Sequence, residues 1–108
     1  MAVQQVTDKD FAQLLQDNDT VVVKYFADWC GSCKLVAPKY VKLSEKPEYE
    51  GKVTFLDVNA EDNPAAREAA GKVSNLPFFA VFKNGEPVEG DDTSKIEYVE
   101  ELLQKHLN

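Results

Sequence analysis

The sequence predicts an α/β fold in one domain, residues 1–108, with a central mixed β-sheet flanked by helices on both faces. The predicted elements follow one another as helix, strand, helix, strand, helix, hairpin and helix, an order that gives parallel strands first and antiparallel ones last. The first strand is apolar at nearly every position, as strands buried on both faces are. The length of 108 residues suits a single domain.

The first half of the chain contains this buried strand and a helix on either side of it. The first helix begins after Thr7, a good N-cap residue, and its apolar residues recur at helical spacing up to position 17. The run Thr20 to Phe26 is β-branched and aromatic, which predicts the strand. A longer helical pattern opens at Cys30, directly after the short turn that ends the strand.

A second strand and a short helix follow a loop at residues 46–51. Residues 52–58 (KVTFLDV) predict a second strand. Asn63 precedes Pro64, and this pair is typical of an N-cap followed by the first helical position.

The chain ends in a hairpin and a helix. Residues 77–83 predict a third strand, and Asn84-Gly85 is a strong signal for a two-residue turn into a strand at 86–90. Ser94 and Glu97 have the spacing of a capping box, which predicts that the C-terminal amphipathic helix begins there.

Charge excludes several classes of function. The chain has 19 acidic and 12 basic residues and a formal net charge of −7. A general nucleic-acid binder needs a basic face to displace phosphate counterions, and anionic membranes attract basic segments, so neither partner is expected. No apolar run approaches the length of a membrane span, and the first residues lack the pattern of a signal peptide. We therefore expect a cytoplasmic monomer.

The two cysteines, Cys30 and Cys33, are too few for a disulfide framework and too few for a metal site. A closed zinc site needs four ligands, and the only histidine is the distant His106, so we expect no metal. A close pair in a reducing compartment is either redox-active or a pair of inert thiols.

The position of the pair favours redox chemistry. Cys30 ends a turn after a buried strand and opens a helix, where free backbone N–H groups and the positive helix end favour a thiolate. The thiolate is the nucleophile in disulfide exchange, so Cys30 is the predicted attacking residue. Cys33 lies one turn further into the helix and can attack Cys30 in turn, which makes it the predicted resolving residue.

The residues around the two cysteines form a recognisable motif. Trp29-Cys30-Gly31-Ser32-Cys33-Lys34 is similar to the motif WCGPCK of the thioredoxin family. Residues 26–28 before it also match that family, as do Pro38, Asn63-Pro64, Leu76-Pro77 and residues 82–86 after it, so the resemblance covers nearly the whole chain. This resemblance implies the thioredoxin fold and protein-disulfide reductase activity. It also implies a redox-active Cys30–Cys33 disulfide with no bound cofactor, and a thioredoxin reductase that draws electrons from NADPH for the reduction of disulfide-containing proteins.

The resemblance also implies a substrate-binding surface. Pro77 matches the family's cis-proline, which holds Leu76 extended beside the dithiol so that its backbone can pair with a substrate strand. Gly31 and Ser32 lie between the cysteines, and Gly90 loosely matches a family glycine at the same groove. Pro77 could instead simply begin an edge strand. Trp29 is predicted to cover the dithiol and contact partners, although a core-filling role is also open.

Two positions depart from the family pattern. Ser32 replaces a proline, and its hydroxyl and N–H groups can stabilise the Cys30 thiolate, which would make the protein less reducing. Lys24 stands where the family has a buried aspartate, while Asp57 stands where many bacterial members have a lysine. The two charges look exchanged, and we expect them to pair and to act on Cys33. A Lys24 amine that extends to the surface is the alternative.

Three functions remain compatible with the sequence. The predicted one is reduction of protein disulfides through Cys30 and Cys33. The alternatives are an oxidant or isomerase of the same fold, which Ser32 favours, and a binding module whose contacts the cysteines regulate.

Overall fold

The computed structural model describes residues 3–107 and contains a five-stranded mixed sheet in the order β1-β3-β2-β4-β5. Strands β1, β3 and β2 are parallel, whereas β4 and β5 are antiparallel to their neighbours. The strands are β1 Val3–Gln5, β2 Thr20–Phe26, β3 Thr54–Asn59, β4 Phe78–Lys83 and β5 Glu86–Asp92. The helices are α1 Asp8–Asp17, α2 Gly31–Ser44, α3 Pro64–Ala69 and α4 Ile96–Lys105, with a 3₁₀ turn at Pro47–Tyr49. The predicted fold class is confirmed.

The helices cover both faces of the sheet, because β2 is apolar on both. Val21, Val23 and Tyr25 belong to the core shared with α1 and α3. Val22 belongs to the core on the opposite face, which contains the buried residues of α2 and α4. Lys24 follows Val22 at a spacing of two, so its side chain is directed to the α2 face.

The short helices α1 and α3 cap each other. Thr7 and Asn63 occupy the predicted N-cap positions, but neither side chain caps its own helix. Instead, the Asp8 backbone N–H donates to Asn63 Oδ1 at 2.8 Å. The Asp8 carboxylate accepts from the N–H groups of Ala65 and Ala66 at 3.1 and 2.8 Å. Each helix therefore satisfies free N–H groups of the other, which ties the two together on one face of the sheet.

Several predicted boundaries are wrong, and the capping box at Ser94 is among them. Strand β5 continues to Asp92 rather than ending at Gly90. Helix α4 begins at Ile96, and its N-cap residue is Lys95 rather than Ser94. Thr93 Oγ1 accepts from the Lys95 N–H at 3.0 Å in the connecting segment. Strand β3 starts two residues later than predicted, and the three-residue strand β1 was missed. Within residues 3–107, every helix is too short or too polar to span a bilayer.

Candidate active site

Cys30 is the N-cap residue of α2, at the carboxyl end of β2. Its extended backbone (φ −85°, ψ 104°) places its sulfur over the first turn, where Sγ accepts from the Cys33 N–H at 3.1 Å. The Cys30 N–H itself donates to the Ala27 carbonyl oxygen at 3.1 Å, which fixes the turn between strand and helix. The sulfur that the sequence predicts to attack thus accepts a hydrogen bond at a positive helix end, which stabilises its thiolate.

Cys33 forms a disulfide with Cys30, with their Cα atoms 5.3 Å apart. Both residues are buried, and they pack with Ala27 in a small cluster that Phe26 and Leu76 contact. The surroundings of the two sulfurs differ. Cys33 lines an open pocket together with Lys24 and Asp57, whereas the residues next to Cys30 in the chain, Trp29 and Gly31, are exposed.

The outer surface around the disulfide is partly apolar. Trp29 is 68% exposed and Leu35 is 76% exposed. The Trp29 indole Nε1 donates to Glu61 at 2.6 Å, which holds the ring on the surface. This position excludes the core-filling role for Trp29 and leaves its large apolar face available to a partner.

Ser32 lies at the same surface, between the two cysteines. Its hydroxyl oxygen is 3.7 Å from Cys30 Sγ, within reach of a sulfur hydrogen bond in which the hydroxyl donates, because the disulfide sulfur carries no proton. A proline at this position would have no hydroxyl and no N–H. The contact is therefore one that the family motif with proline cannot make.

A groove of about 280 Å³ begins at Ser32 and is lined by residues 75–77 and 92–94. The Leu76–Pro77 peptide bond is cis, as the resemblance implied. Pro77 directly precedes β4, which lies between β2 and β5, so it does not begin an edge strand. The backbone N–H and C=O of Leu76 make no hydrogen bond to any residue between 3 and 107. These groups are in position to pair with an incoming strand.

The structure does not place Gly90 at this groove. Gly90 pairs with Ala80 inside β5, and a Cβ there would lie 2.8 Å from Cε1 of Phe78. A glycine is needed at this position because the Phe78 ring packs over its backbone. Asp92 and Thr93 line the groove in place of Gly90. The match in spacing does not indicate them, because β5 is two residues longer than predicted.

Lys24 and Asp57 are direct neighbours on the parallel strands β2 and β3, and their Nζ and Oδ1 atoms are 3.4 Å apart. The Lys24 side chain is 4% exposed, which excludes the alternative in which its amine extends to the surface. Its Nζ lies 5.7 Å from the ring centre of Phe26 and 5.6 Å from that of Tyr40, so aromatic faces supply part of its stabilisation.

Asp57 and Lys24 line the same pocket of about 410 Å³ as Cys33. Burial raises the pKa of the Asp57 carboxyl above its usual value, and the Lys24 charge only partly offsets this. The buried Asp57 Oδ1 has no hydrogen-bond partner within residues 3–107, and the Lys24 amine 3.4 Å away meets it as an ion pair. A proton acceptor thus lies in the pocket that Cys33, the predicted resolving cysteine, lines.

The described part of the chain, residues 3–107, contains no group of three or more His, Cys, Asp and Glu side chains that could hold a metal ion. The family model for thioredoxin matches residues 2–106. Thioredoxin from Staphylococcus epidermidis is 36% identical over 108 residues, which is 99% of this chain and all of that protein.

Solved structures give the same result. Thioredoxin from Schistosoma mansoni superposes with a TM-score of 0.84 at 33% identity, over 96% of this chain and 94% of that one. Thioredoxin from Malassezia sympodialis gives a TM-score of 0.86 at 26% identity, over 100% of this chain and 96% of that one. The similarity covers every strand and helix that positions the two cysteines.

Proposed function

This chain belongs to the thioredoxin family and is a protein-disulfide oxidoreductase, and we propose that Cys30 is its nucleophile and Cys33 its resolving residue. One observation carries this assignment: Cys30 caps α2 with its sulfur, whereas Cys33 lines the pocket that contains Asp57. The helix end stabilises a thiolate at Cys30.

The reaction starts from the reduced dithiol. The Cys30 thiolate attacks a substrate disulfide, its S–S bond breaks, and one substrate sulfur leaves as a thiolate that takes up a proton. Cys33, once deprotonated, attacks the Cys30 sulfur of this mixed disulfide and releases the second substrate thiol. Two electrons pass to the substrate, and the protein is left with the Cys30–Cys33 disulfide seen in the structure.

Substrate binding is assigned to the surface around the disulfide. We assign main-chain pairing to Leu76, with Pro77 holding its backbone extended, because these groups are unpaired and Leu76 contacts the cysteine cluster. Trp29, Gly31 and Ser32 form the exposed border of the disulfide and contact the substrate there.

Lys24 and Asp57 are assigned to the resolving step. Asp57 accepts the proton of Cys33, because the two side chains line the same pocket. The raised pKa of Asp57 brings its proton affinity closer to that of a thiol than is the case for an ordinary carboxyl group. Lys24 is a positioning residue, which acts by holding the Asp57 carboxylate at 3.4 Å.

The family implies two kinds of partner, a reductase that supplies electrons and proteins that contain disulfides. We propose that the donor is an NADPH-dependent thioredoxin reductase and that this chain works as a single-domain monomer without a bound cofactor. We place it in the cytoplasm, because reduced thiol pools there favour a cycling dithiol over a permanent disulfide.

A trapping experiment tests the two cysteine roles. Cys33→Ser should accumulate a stable mixed disulfide with substrate proteins, because Cys30 can attack but no thiol resolves the adduct. The measurement is the amount of adduct on non-reducing gels, together with turnover in an NADPH-coupled reductase assay. Cys30→Ser is the matched control and should show neither adduct nor turnover. Equal trapping by Cys30→Ser would reverse the assignment.

A further inference from the structure

Asp92 is the only charged residue among the described residues that line the groove beside Leu76. We propose that Asp92 determines substrate specificity, selecting disulfides that have an arginine or lysine side chain close to the reactive cysteine. The proposal rests on the reductase function above and adds a substrate class to it.

The Asp92 carboxylate is held in place within the groove. Its Oδ2 accepts from Asn75 Nδ2 at 2.7 Å and from Ser74 Oγ at 3.3 Å. The bond from Asn75 is the main cause of an Asp92 pKa below its usual range, so the group is a carboxylate at neutral pH. Both donors are neutral, so Asp92 keeps its full negative charge.

The neighbouring carboxylate lies on the other face of β5. Asp91 Oδ2 accepts from the Tyr98 hydroxyl at 2.9 Å, on the side of the sheet where α4 packs, and its Oδ1 accepts from the Asp92 backbone N–H at 2.9 Å. Successive residues of a strand point to opposite faces, which explains why Asp92 lines the groove and Asp91 does not. The chain thus provides its own control, a second carboxylate one residue away on the other face.

The geometry of strand addition links Asp92 to the substrate. An extended segment that pairs with the Leu76 backbone draws affinity from main-chain hydrogen bonds, which every sequence can make, and sets alternate side chains into the groove. The groove starts at Ser32, whose hydroxyl is 3.7 Å from Cys30 Sγ, so residues next to the substrate cysteine are the ones that enter it. A cationic side chain there meets the Asp92 carboxylate, whereas an acidic one is repelled.

Single-turnover oxidation of the reduced protein by disulfide-linked peptides tests the proposal without a reductase. Each peptide has one cysteine and carries arginine, norleucine or glutamate at one position, scanned over two residues on either side of the cysteine. The protein disulfide formed is quantified after acid quenching. At the best position we expect arginine to react roughly 1.5- to five-fold faster than norleucine, the range of an exposed ion pair, and glutamate to react more slowly than norleucine.

The variants separate a local effect of Asp92 from the overall charge of −7. In Asp92→Asn the arginine-to-norleucine ratio should fall close to one, whereas Asp91→Asn should retain the wild-type ratio. A ratio that survives in Asp92→Asn, or that is near one in the wild type, overturns the specificity proposal and leaves the reductase function standing. Failure of every peptide to oxidise the wild-type dithiol would contradict the reductase function itself.

Discussion

At the scale of single residues, the hydroxyl of Ser32 is the feature that distinguishes this redox centre from the proline-containing motif. It lies 3.7 Å from Cys30 Sγ, at the sulfur that carries the negative charge in the reduced protein. A hydrogen bond to a thiolate stabilises the reduced form more than the same contact stabilises the disulfide, because the sulfur is charged only in the reduced protein.

Ser32→Pro should therefore lower the reduction potential. A hydrogen bond worth about 0.5–1.5 kcal/mol corresponds to roughly 10–30 mV for a two-electron couple. Equilibration of each protein with a series of glutathione buffers measures the difference. A wild-type potential equal to or below that of Ser32→Pro would show that the hydroxyl does not stabilise the thiolate.

The reactive residues were the most predictable part of the molecule. A cysteine between a buried strand and a helix has few structural alternatives, and the structure places Cys30 at that N-cap. Gly90 was misplaced because a loose match in spacing does not show where a strand ends. Asp92 was missed because its position in the groove depends on the length of β5 and on a hydrogen bond from Asn75, and neither follows from a local pattern.

At the scale of elements, the exchanged charges connect two adjacent strands of the parallel part of the sheet. The sequence predicted the pairing of Lys24 with Asp57 from their positions relative to the family pattern, and the strand register places them side by side. The three-residue strand β1 and the mutual capping of α1 and α3 were not predictable, because both depend on residues more than 45 positions apart in the chain.

A double-mutant cycle should detect the pair. Lys24→Met and Asp57→Asn should each lower the free energy of unfolding by about 3 kcal/mol, because each variant leaves the other side chain buried without its partner. The double variant should lose less than the sum of the two, with a coupling of about 1–2 kcal/mol in urea denaturation. The swapped variant, Lys24→Asp with Asp57→Lys, should recover most of the wild-type stability.

The exposed pair of Lys83 and Asp19 is the matched control for this cycle. It has a similar separation, 3.7 Å, but the Asp19 side chain is 67% exposed, so solvent screens the interaction. Its cycle should show coupling close to zero. Losses that simply add for Lys24 and Asp57 would show that these two side chains do not interact.

At the scale of the whole molecule, charge acts on stability in two opposite directions. Glu100 of α4 accepts from the Tyr49 hydroxyl at 2.6 Å, and both of its carboxylate oxygens accept from Lys46 Nζ at 3.0 Å. These partners hold the pKa of Glu100 below its usual value. Asp57 has a pKa raised by burial. The net charge of −7 adds self-repulsion that grows as the remaining groups lose protons.

The two groups should therefore make opposite contributions to the pH dependence of the free energy of unfolding of the oxidised protein. Below about pH 4.3, the unfolded chain binds a proton at Glu100 more readily than the native state does, so stability falls as the pH falls. Asp57 acts in the opposite direction. From about pH 3.8 upward the native state keeps the Asp57 proton longer than the unfolded chain does, so stability falls as the pH rises through the native pKa. Urea denaturation from pH 3 to pH 9 measures the curve. Glu100→Gln should reduce the loss of stability at low pH, and Asp57→Asn should remove the loss that accompanies deprotonation of Asp57. A pH dependence that is the same in Asp57→Asn and in the wild type would contradict the raised pKa of Asp57.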